Sequence, residues 1–402
     1  MRRDLFLPAQ ARQVSENHKK YVVVLGSTGS IGESTLSVVR GLPDRLEVVG
    51  LGAGSRWQEL ARQIEEFEPA AAALADIRHR SCLEKACSGK DVKLFYGPEG
   101  MCELARMPQA QVVVCAVSGW AGFPAALAAL ECGRVLALAN KESLVVGGEL
   151  LMRLAKSRGG TILPVDSEPS AIMQAMRCGR RDEIARVIIT ASGGPFRGIP
   201  RKKLREVTPE QALQHPIWHM GKKVAIDSAT LMNKALEIIE TRWLFDLAPE
   251  RIEVLIHPQC VIHSMVEFVD GSVIAQLAMP DMRLPIQCAL TYPDRVEGPA
   301  ARLDPAHMGG LELRKPSPDE LLALQLGYEV ARMGGTSGAA LNAANEFAVE
   351  SFLGGKLRFT DIVPLVRMVV ERHRNINDPD IRQIEEADCR ARGEAAKCLE
   401  LL

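Results

Sequence analysis

Aromatic residues make up only 4% of the chain. That leaves little material for the stacking platforms that bind single-stranded nucleic acid. Neither sign of charge dominates: 49 basic residues stand against 50 acidic ones, a formal net charge of −1. This balance argues against a global electrostatic grip on nucleic acid or an anionic membrane. Long apolar runs are missing, so no segment reaches membrane-spanning length. Near the start, Leu5-Phe6-Leu7 is too short for a signal-peptide core, and residues 1–20 read as an N-terminal extension. The ten cysteines include no Cys-x-x-Cys pair. They are not a disulfide framework and point to a reducing, cytoplasmic setting. What is present is ordinary globular material, 47% hydrophobic and 25% charged over 402 residues, enough for two or three domains.

Apolar runs alternate with helical ones through the first part of the chain. Strands are expected at Tyr21–Leu25, Leu46–Leu51, Gln111–Val117, Arg134–Ala139 and Thr161–Val165, with a helix at Pro124–Cys132. Such alternation means β-α-β units and a parallel sheet. A further strand, Arg186–Thr190, precedes Ser192-Gly193-Gly194. From Glu253 to Met279 the pattern is strand-rich, broken by the hairpin signal Asp270-Gly271. Thr291–Pro318, rich in Pro and Gly, reads as a linker, and the remainder from Asp319 reads as helical.

Gly26, Gly29 and Gly32 follow the first strand and open a helix. Glycine lets the backbone turn tightly and approach a pyrophosphate, whose charge then sits at the helix N-terminus. The order strand, glycines, helix favours dinucleotide binding over a merely structural turn. The second strand ends in Gly54-Ser55-Arg56, with no acid for the ribose hydroxyls. A hydroxyl and a guanidinium suit a 2′-phosphate, hence NADP rather than NAD.

Asp166 and Glu168 lie two apart at a strand's end, where an extended chain points both carboxylates the same way. Oxygen ligation of that kind suits Mg²⁺ or Mn²⁺. Adjacent acids before a helix are also ordinary capping partners, with the helix beginning at Pro169. In the run Asp227 to Glu237, Asp227 or Ser228 is a suitable N-cap. Thr230, Asn233, Lys234, Glu237 and Thr241 then share one helix face. That face is either solvated or an anion site with a third carboxylate. His215-Pro216-Ile217-Trp218-His219-Met220-Gly221 places a Trp between Pro and Gly punctuation. It reads either as a lid or as a loop packed on the body. His257 and His263 lie on strand-like segments, where a lone His is more often structural than a ligand.

Taken together these motifs resemble the 1-deoxy-D-xylulose 5-phosphate reductoisomerase family of the non-mevalonate isoprenoid route. The resemblance runs through Gly26–Gly32, Ala139-Asn140-Lys141-Glu142-Ser143-Leu144, Val165–Glu168, Ser192–Phe196, His215–Trp218 with Met220-Gly221, and Asp227–Glu237. It continues through His257-Pro258-Gln259 with His263-Ser264, Arg283–Gln287 and Ala343-Ala344-Asn345-Glu346. It implies an α/β protein with a Rossmann-like NADPH domain (21–165), an α+β catalytic domain (166–291), a linker (292–318) and a C-terminal helical domain (319–402), in a homodimer. It implies NADPH contacts from Thr28, Gly29, Ser30, Ile31, Gly54, Ser55, Arg56, Asn140, Glu142, Met220 and Gly221. Asp166, Glu168 and Glu237 would hold Mg²⁺ or Mn²⁺. Lys141, Ser167, Glu168, Ser192, His215, Trp218, Ser228, Asn233, Lys234, Glu237 and His263 would surround the sugar phosphate, with Lys141, His215 and the three acids catalytic. The reaction so implied rearranges the sugar skeleton and then reduces an aldehyde with NADPH. Two departures from the family pattern stand out: Pro169 where His is common, and Ser55-Arg56 in place of a Lys-Asn type pair. A semialdehyde-dehydrogenase type enzyme would need an activated Cys, and no cysteine here lies in a His-paired or cationic motif. A non-catalytic NADP-binding regulator would have no use for three carboxylates beside a phosphate pocket.

Overall fold

The computed structural model describes residues 19–218 and 220–402. The expected extension therefore lies, up to residue 18, outside the described residues, as does His219. Contacts divide the chain into two compact units. One consists, among the described residues, of 19–140, Leu151–Ser170 and Asp281–Ala301. The other consists of Lys141–Leu150, Ala171–Pro280 and Arg302–Leu402.

The first unit is built on seven strands: β1 (Lys20–Leu25), β2 (Leu46–Ala53), β3 (Ala71–Leu74), β4 (Lys93–Tyr96), β5 (Val112–Cys115), β6 (Val135–Leu138) and β7 (Thr161–Pro164). They form one sheet in the order β4-β3-β2-β1-β5-β6-β7, and each neighbouring pair is parallel. Val22–Leu25 and Val112–Cys115 are buried throughout, as strands covered by helices on both faces must be. The order runs outward in both directions from β1, so the carboxyl ends of β1 and β5 flank a switch point, where such sheets bind ligands. The helix Arg283–Thr291 also belongs to this unit: Lys20 Nζ donates to the Leu290 and Tyr292 carbonyls at 3.1 and 2.9 Å.

The second unit carries β8 (Ile184–Ala191), β9 (Ile252–Ile256), β10 (Ile262–Phe268) and β11 (Val273–Leu277) in the order β11-β10-β8-β9. β10 is antiparallel to both its neighbours and β8–β9 is parallel. The β10–β11 hairpin turns at Asp270-Gly271, with Gly271 at φ +85°. Helices Leu321–Met333, Ser337–Leu353, Ile362–Arg372 and Ile381–Leu399 complete this unit, as the helical pattern after Asp319 predicts. Within residues 292–318 the described turns are held in place. Gln287 Nε2 donates to the Val296 carbonyl at 2.7 Å, and Arg314 exchanges backbone hydrogen bonds with Ile256 at 2.8 and 3.1 Å.

Several local expectations change. The run from Asp227 to Glu237 is not one helix but the end of Lys222–Thr230 and the start of Met232–Phe245, broken at Leu231, whose φ is +62°. Asp227 and Ser228 therefore lie in a last helical turn and do not cap a helix N-terminus. The polar face is not solvated: Lys234 is 3% exposed and Glu237 and Thr241 are 0%, because packing neighbours cover most of the second helix. The helix after β7 begins at Ser167, not Pro169. Proline is tolerated there because N–H groups of a first turn have no intrahelical acceptor.

Candidate active site

In the first unit, β1 leads straight into the glycine loop. Gly26 takes φ +83°, and a Cβ on it would collide with the Ala116 carbonyl beyond β5. A Cβ on Gly32 would strike the Gly26 and Ser27 carbonyls, so the helix Ser30–Gly41 packs directly on the loop it leaves. That helix starts after Gly29 with no side-chain cap, which leaves its first N–H groups to an anion. The Arg56 guanidinium donates to the Thr28 carbonyl, which brings the expected 2′-phosphate residue to the same loop. Asn140 is buried and donates to the Val117 carbonyl and, at 3.0 Å, to that of Gly119. At the end of β7, Asp166 Oδ1 accepts from the Ser167 N–H at 3.1 Å, and the Ser167 hydroxyl donates to Glu168 at 2.5 Å. Asp166 and Glu168 thus stand side by side on one turn and are half-buried.

The second unit holds a buried charged cluster. Lys141 Nζ bonds Glu237 Oε1 at 3.1 Å and Asn233 Oδ1 at 2.9 Å. Asn233 Nδ2 donates to Glu237 Oε1 at 2.6 Å, and Lys234 Nζ donates to Glu237 Oε2. Two ammonium groups share one carboxylate, and the charge-assisted hydrogen bonds fix both lysines.

Beside the end of β8, Ser192 and His215 form a second polar group. His215 Nδ1 accepts the N–H groups of Ile217 and Trp218 at 3.2 and 2.9 Å. The network thereby assigns the proton of a neutral ring to Nε2, which donates to Ser192 Oγ at 3.0 Å. Partial burial keeps this imidazole below its ordinary pKa, in the same sense. Ser192 Oγ also accepts the Gly194 N–H at 3.1 Å. Because the oxygen accepts twice, its own proton is left to donate to a further group. Gly194, at φ +67°, lies so close to Ser228 that a Cβ would come within 2.8 Å of the Ser228 carbonyl. The loop after Ser192 is brought against the Ser228 backbone in this way. Trp218 is half-buried, its ring centroid 6.3 Å from that of His263, and His263 is 6% exposed. His257 is structural: Nε2 accepts the Val261 and Ile262 N–H groups, both at 3.1 Å, and Nδ1 meets the Glu312 carbonyl at 2.8 Å.

Glu142, expected at the cofactor, has its carboxylate bonded to Lys223 Nζ at 2.7 Å. Lys223 also pairs with Asp227 at 2.8 Å, and Asn345 Nδ2 donates to Asp227 Oδ1 at 2.8 Å. Burial raises the Asp227 carboxyl despite its Lys223 partner. For Glu142, burial acts upward but the Lys223 ammonium wins and holds the group low. Lys223 is raised because its two carboxylates outweigh desolvation. No motif points to Lys223; its i, i+4 spacing from Asp227 is the one local signal.

A parallel sheet with a glycine loop and an uncapped helix at its switch point is the architecture of a dinucleotide-binding α/β protein, here with a lysine-and-acid cluster in its second unit. Comparison with known proteins narrows this class. Residues 22–148 match the family model described as 1-deoxy-D-xylulose 5-phosphate reductoisomerase, and residues 162–245 and 277–394 match that family's two C-terminal domain models. A relative of that name from Pelotomaculum thermopropionicum is 50% identical over 382 residues, covering 94% of this chain and 98% of its own. A solved reductoisomerase from Zymomonas mobilis in complex with NADPH superposes with a TM-score of 0.90 at 41% identity, over 96% of this chain and 100% of that one. Another, in complex with NADPH, fosmidomycin and magnesium, gives 0.89 at 37% identity, over 95% and 98%. The chain belongs to the 1-deoxy-D-xylulose 5-phosphate reductoisomerase family.

Proposed function

We propose that this chain converts 1-deoxy-D-xylulose 5-phosphate to 2-C-methyl-D-erythritol 4-phosphate with NADPH and a divalent cation, in non-mevalonate isoprenoid biosynthesis. The observation that carries this reading is the buried Lys141–Asn233–Glu237–Lys234 cluster, on a chain matched to the family from residue 22 to residue 394.

The residues present fit both groups. The uncapped helix start after Gly29 suits a pyrophosphate. Thr28, Gly29, Ser30, Ile31, Gly54, Ser55, Arg56, Asn140, Glu142, Met220 and Gly221 line the cofactor, with Arg56 at its 2′-phosphate. Asp166, Glu168 and Glu237 hold the cation, Mg²⁺ or Mn²⁺, and an all-carboxylate set favours such hard ions. When bound, the cation polarises the substrate carbonyl and the nicotinamide supplies hydride.

The side chains do the rest. Lys141 binds substrate oxygens from a position fixed by Asn233 and Glu237. Ser192 turns its hydroxyl proton to the phosphate because His215 and Gly194 occupy its lone pairs. Ser167, Ser228, Asn233, Lys234 and His263 complete the sugar-phosphate contacts, and this remote binding orients the reacting carbons. His215–Gly221 acts as a lid, and Trp218 covers the substrate to exclude water. Residues 21–165 serve the cofactor, 166–291 the chemistry and 319–402 the support. The protein works in the cytoplasm as a homodimer. Among the described residues no helix is long and apolar enough to cross a membrane.

The test is NADPH oxidation with 1-deoxy-D-xylulose 5-phosphate, with and without Mg²⁺ or Mn²⁺. Turnover should vanish in chelator, return with either ion, and be mostly lost in Asp166→Asn. A full rate in exhaustive chelator would refute the metal assignment.

A further inference from the structure

Lys223, Asp227 and Asn345 have no part in the chemistry above, yet with Glu142 they form a network whose composition is costly. Glu142 is 5% exposed, Asp227 1% and Asn345 0%. Burying two carboxylates around one ammonium carries a desolvation penalty of several kcal/mol per ion. An apolar set would serve packing equally well. The placement of the network is informative. Glu142 directly follows Lys141, and Asp227 directly precedes Ser228. Lys223 donates to Glu142 at 2.7 Å and forms an ion pair with Asp227 at 2.8 Å. Asn345 reaches Asp227 from the helix Ser337–Leu353. At its first turn that helix also comes close to the segment after Lys141: at Gly338 a Cβ would collide with the Val145 carbonyl.

We propose that Lys223, Asp227 and Asn345 are positioning residues for the sugar-phosphate site, a relay that sets Lys141 and Ser228 in register from the helix Ser337–Leu353. The inference builds on the proposed function. Lys141 sits at the first turn of its helix, and Ser228 lies three residues before the Leu231 break. Both are helix-end positions, where intrahelical hydrogen bonds alone leave the backbone free to fray. One ammonium held by a carboxylate next to each position links the two ends. Asn345 fixes the Asp227 carboxylate from the other side, so that Lys223 meets it in one orientation. Asn342, one turn earlier on the same helix, bonds Glu346 instead, at 3.1 Å, and is equally buried. It is a built-in control for loosening of that helix.

The experiment compares Asn345→Ala, Asp227→Asn and Asn342→Ala in the full-length protein. Positioning predicts that the first two raise the sugar-phosphate KM about tenfold while the NADPH KM moves less than about twofold, as expected of a small misplacement at one subsite. Asn342→Ala should leave both KM values unchanged, whatever it does to unfolding. An Asn345→Ala enzyme with wild-type KM values would overturn the relay. So would Asn342→Ala matching Asn345→Ala, or both KM values rising together. Amide hydrogen exchange supplies a readout that needs no turnover. Residues 226–231 and 141–145 should exchange faster in Asn345→Ala than in Asn342→Ala, and equal exchange would again overturn the relay. A wild-type protein inactive on the sugar phosphate would sink the proposed function, with the exchange comparison still deciding the relay.

Discussion

Replacing Glu237 by Gln tests the charged cluster of the second unit most directly. The carboxylate is fully buried and takes Lys141 and Asn233 on one oxygen and Lys234 on the other. Glutamine keeps the shape and one acceptor. Its carboxamide nitrogen, however, meets either the Lys234 ammonium or the Lys141 and Asn233 donors, a donor facing donors. The side chains of Lys141 and Lys234 are only 8% and 4% exposed, so water cannot replace the lost charge. Removing one partner from a buried ion pair costs about 3–5 kcal/mol. With a urea slope of about 3 kcal/mol/M the unfolding midpoint of the metal-free protein falls by roughly 1–1.7 M. The measurement is urea unfolding in chelator, followed by circular dichroism, for wild type, Glu237→Gln and Glu237→Asp. A midpoint for Glu237→Gln within about 0.2 M of wild type, against that expectation, would mean that the lysines do not depend on this carboxylate. The cluster would then not be the charged anchor described above.

Wild type should prefer NADPH to NADH, and Arg56→Ala should lose about 1.5–3 kcal/mol of that preference, the worth of a hydrogen bond to a charged group; steady-state kinetics with both cofactors decides it, and an unchanged ratio in the variant removes Arg56 from the 2′-phosphate. Substrate or a phosphonate-hydroxamate analogue should alter tryptophan fluorescence in wild type and far less in Trp218→Phe. Trp218→Ala should slow turnover, and if it instead destabilised the free protein by about 3 kcal/mol or more, as a core truncation does, Trp218 would be a packing residue. The His215 pKa lies below its ordinary 6.5 in the folded chain because of burial. The folded state therefore resists protonation, so this contribution to stability is complete above about pH 6.5 and declines as the pH falls toward the folded-state value. His215→Gln should flatten that slope in unfolding measured between about pH 7 and pH 5, a range chosen around the free-histidine value, and an identical slope in the variant would assign the effect to other groups.

Local pattern determines much of this molecule. β1, β2, β5, β6 and β7 fall within two residues of the expected strands, because runs such as Val22–Val24 and Val112–Val114 can be buried on both faces only inside a parallel sheet. The loop Gly26–Gly32 is legible for the same reason: strand, turn and helix are specified by adjacent residues, and two of its glycines have no space for a Cβ. The Asp270-Gly271 hairpin is likewise a short-range decision. Tertiary structure decided what adjacent residues cannot. The helical periodicity of Asp227–Glu237 continues smoothly through Leu231, yet the chain breaks there, and Asn233 and Glu237 turn to Lys141, 92 and 96 positions away. A polar stripe on a helix looks the same in sequence whether it faces water or a buried partner. Only the packing of distant elements on this helix, with Lys141 bonded to it, makes this one an interior charge cluster. The link from Asn345 to Asp227 spans 118 residues. Asn345 can be named from its motif, but its hydrogen bond exists only because the helix Ser337–Leu353 packs on the helix Lys222–Thr230. Long-range contacts of that kind depend on how completed elements pack, and no local propensity encodes them.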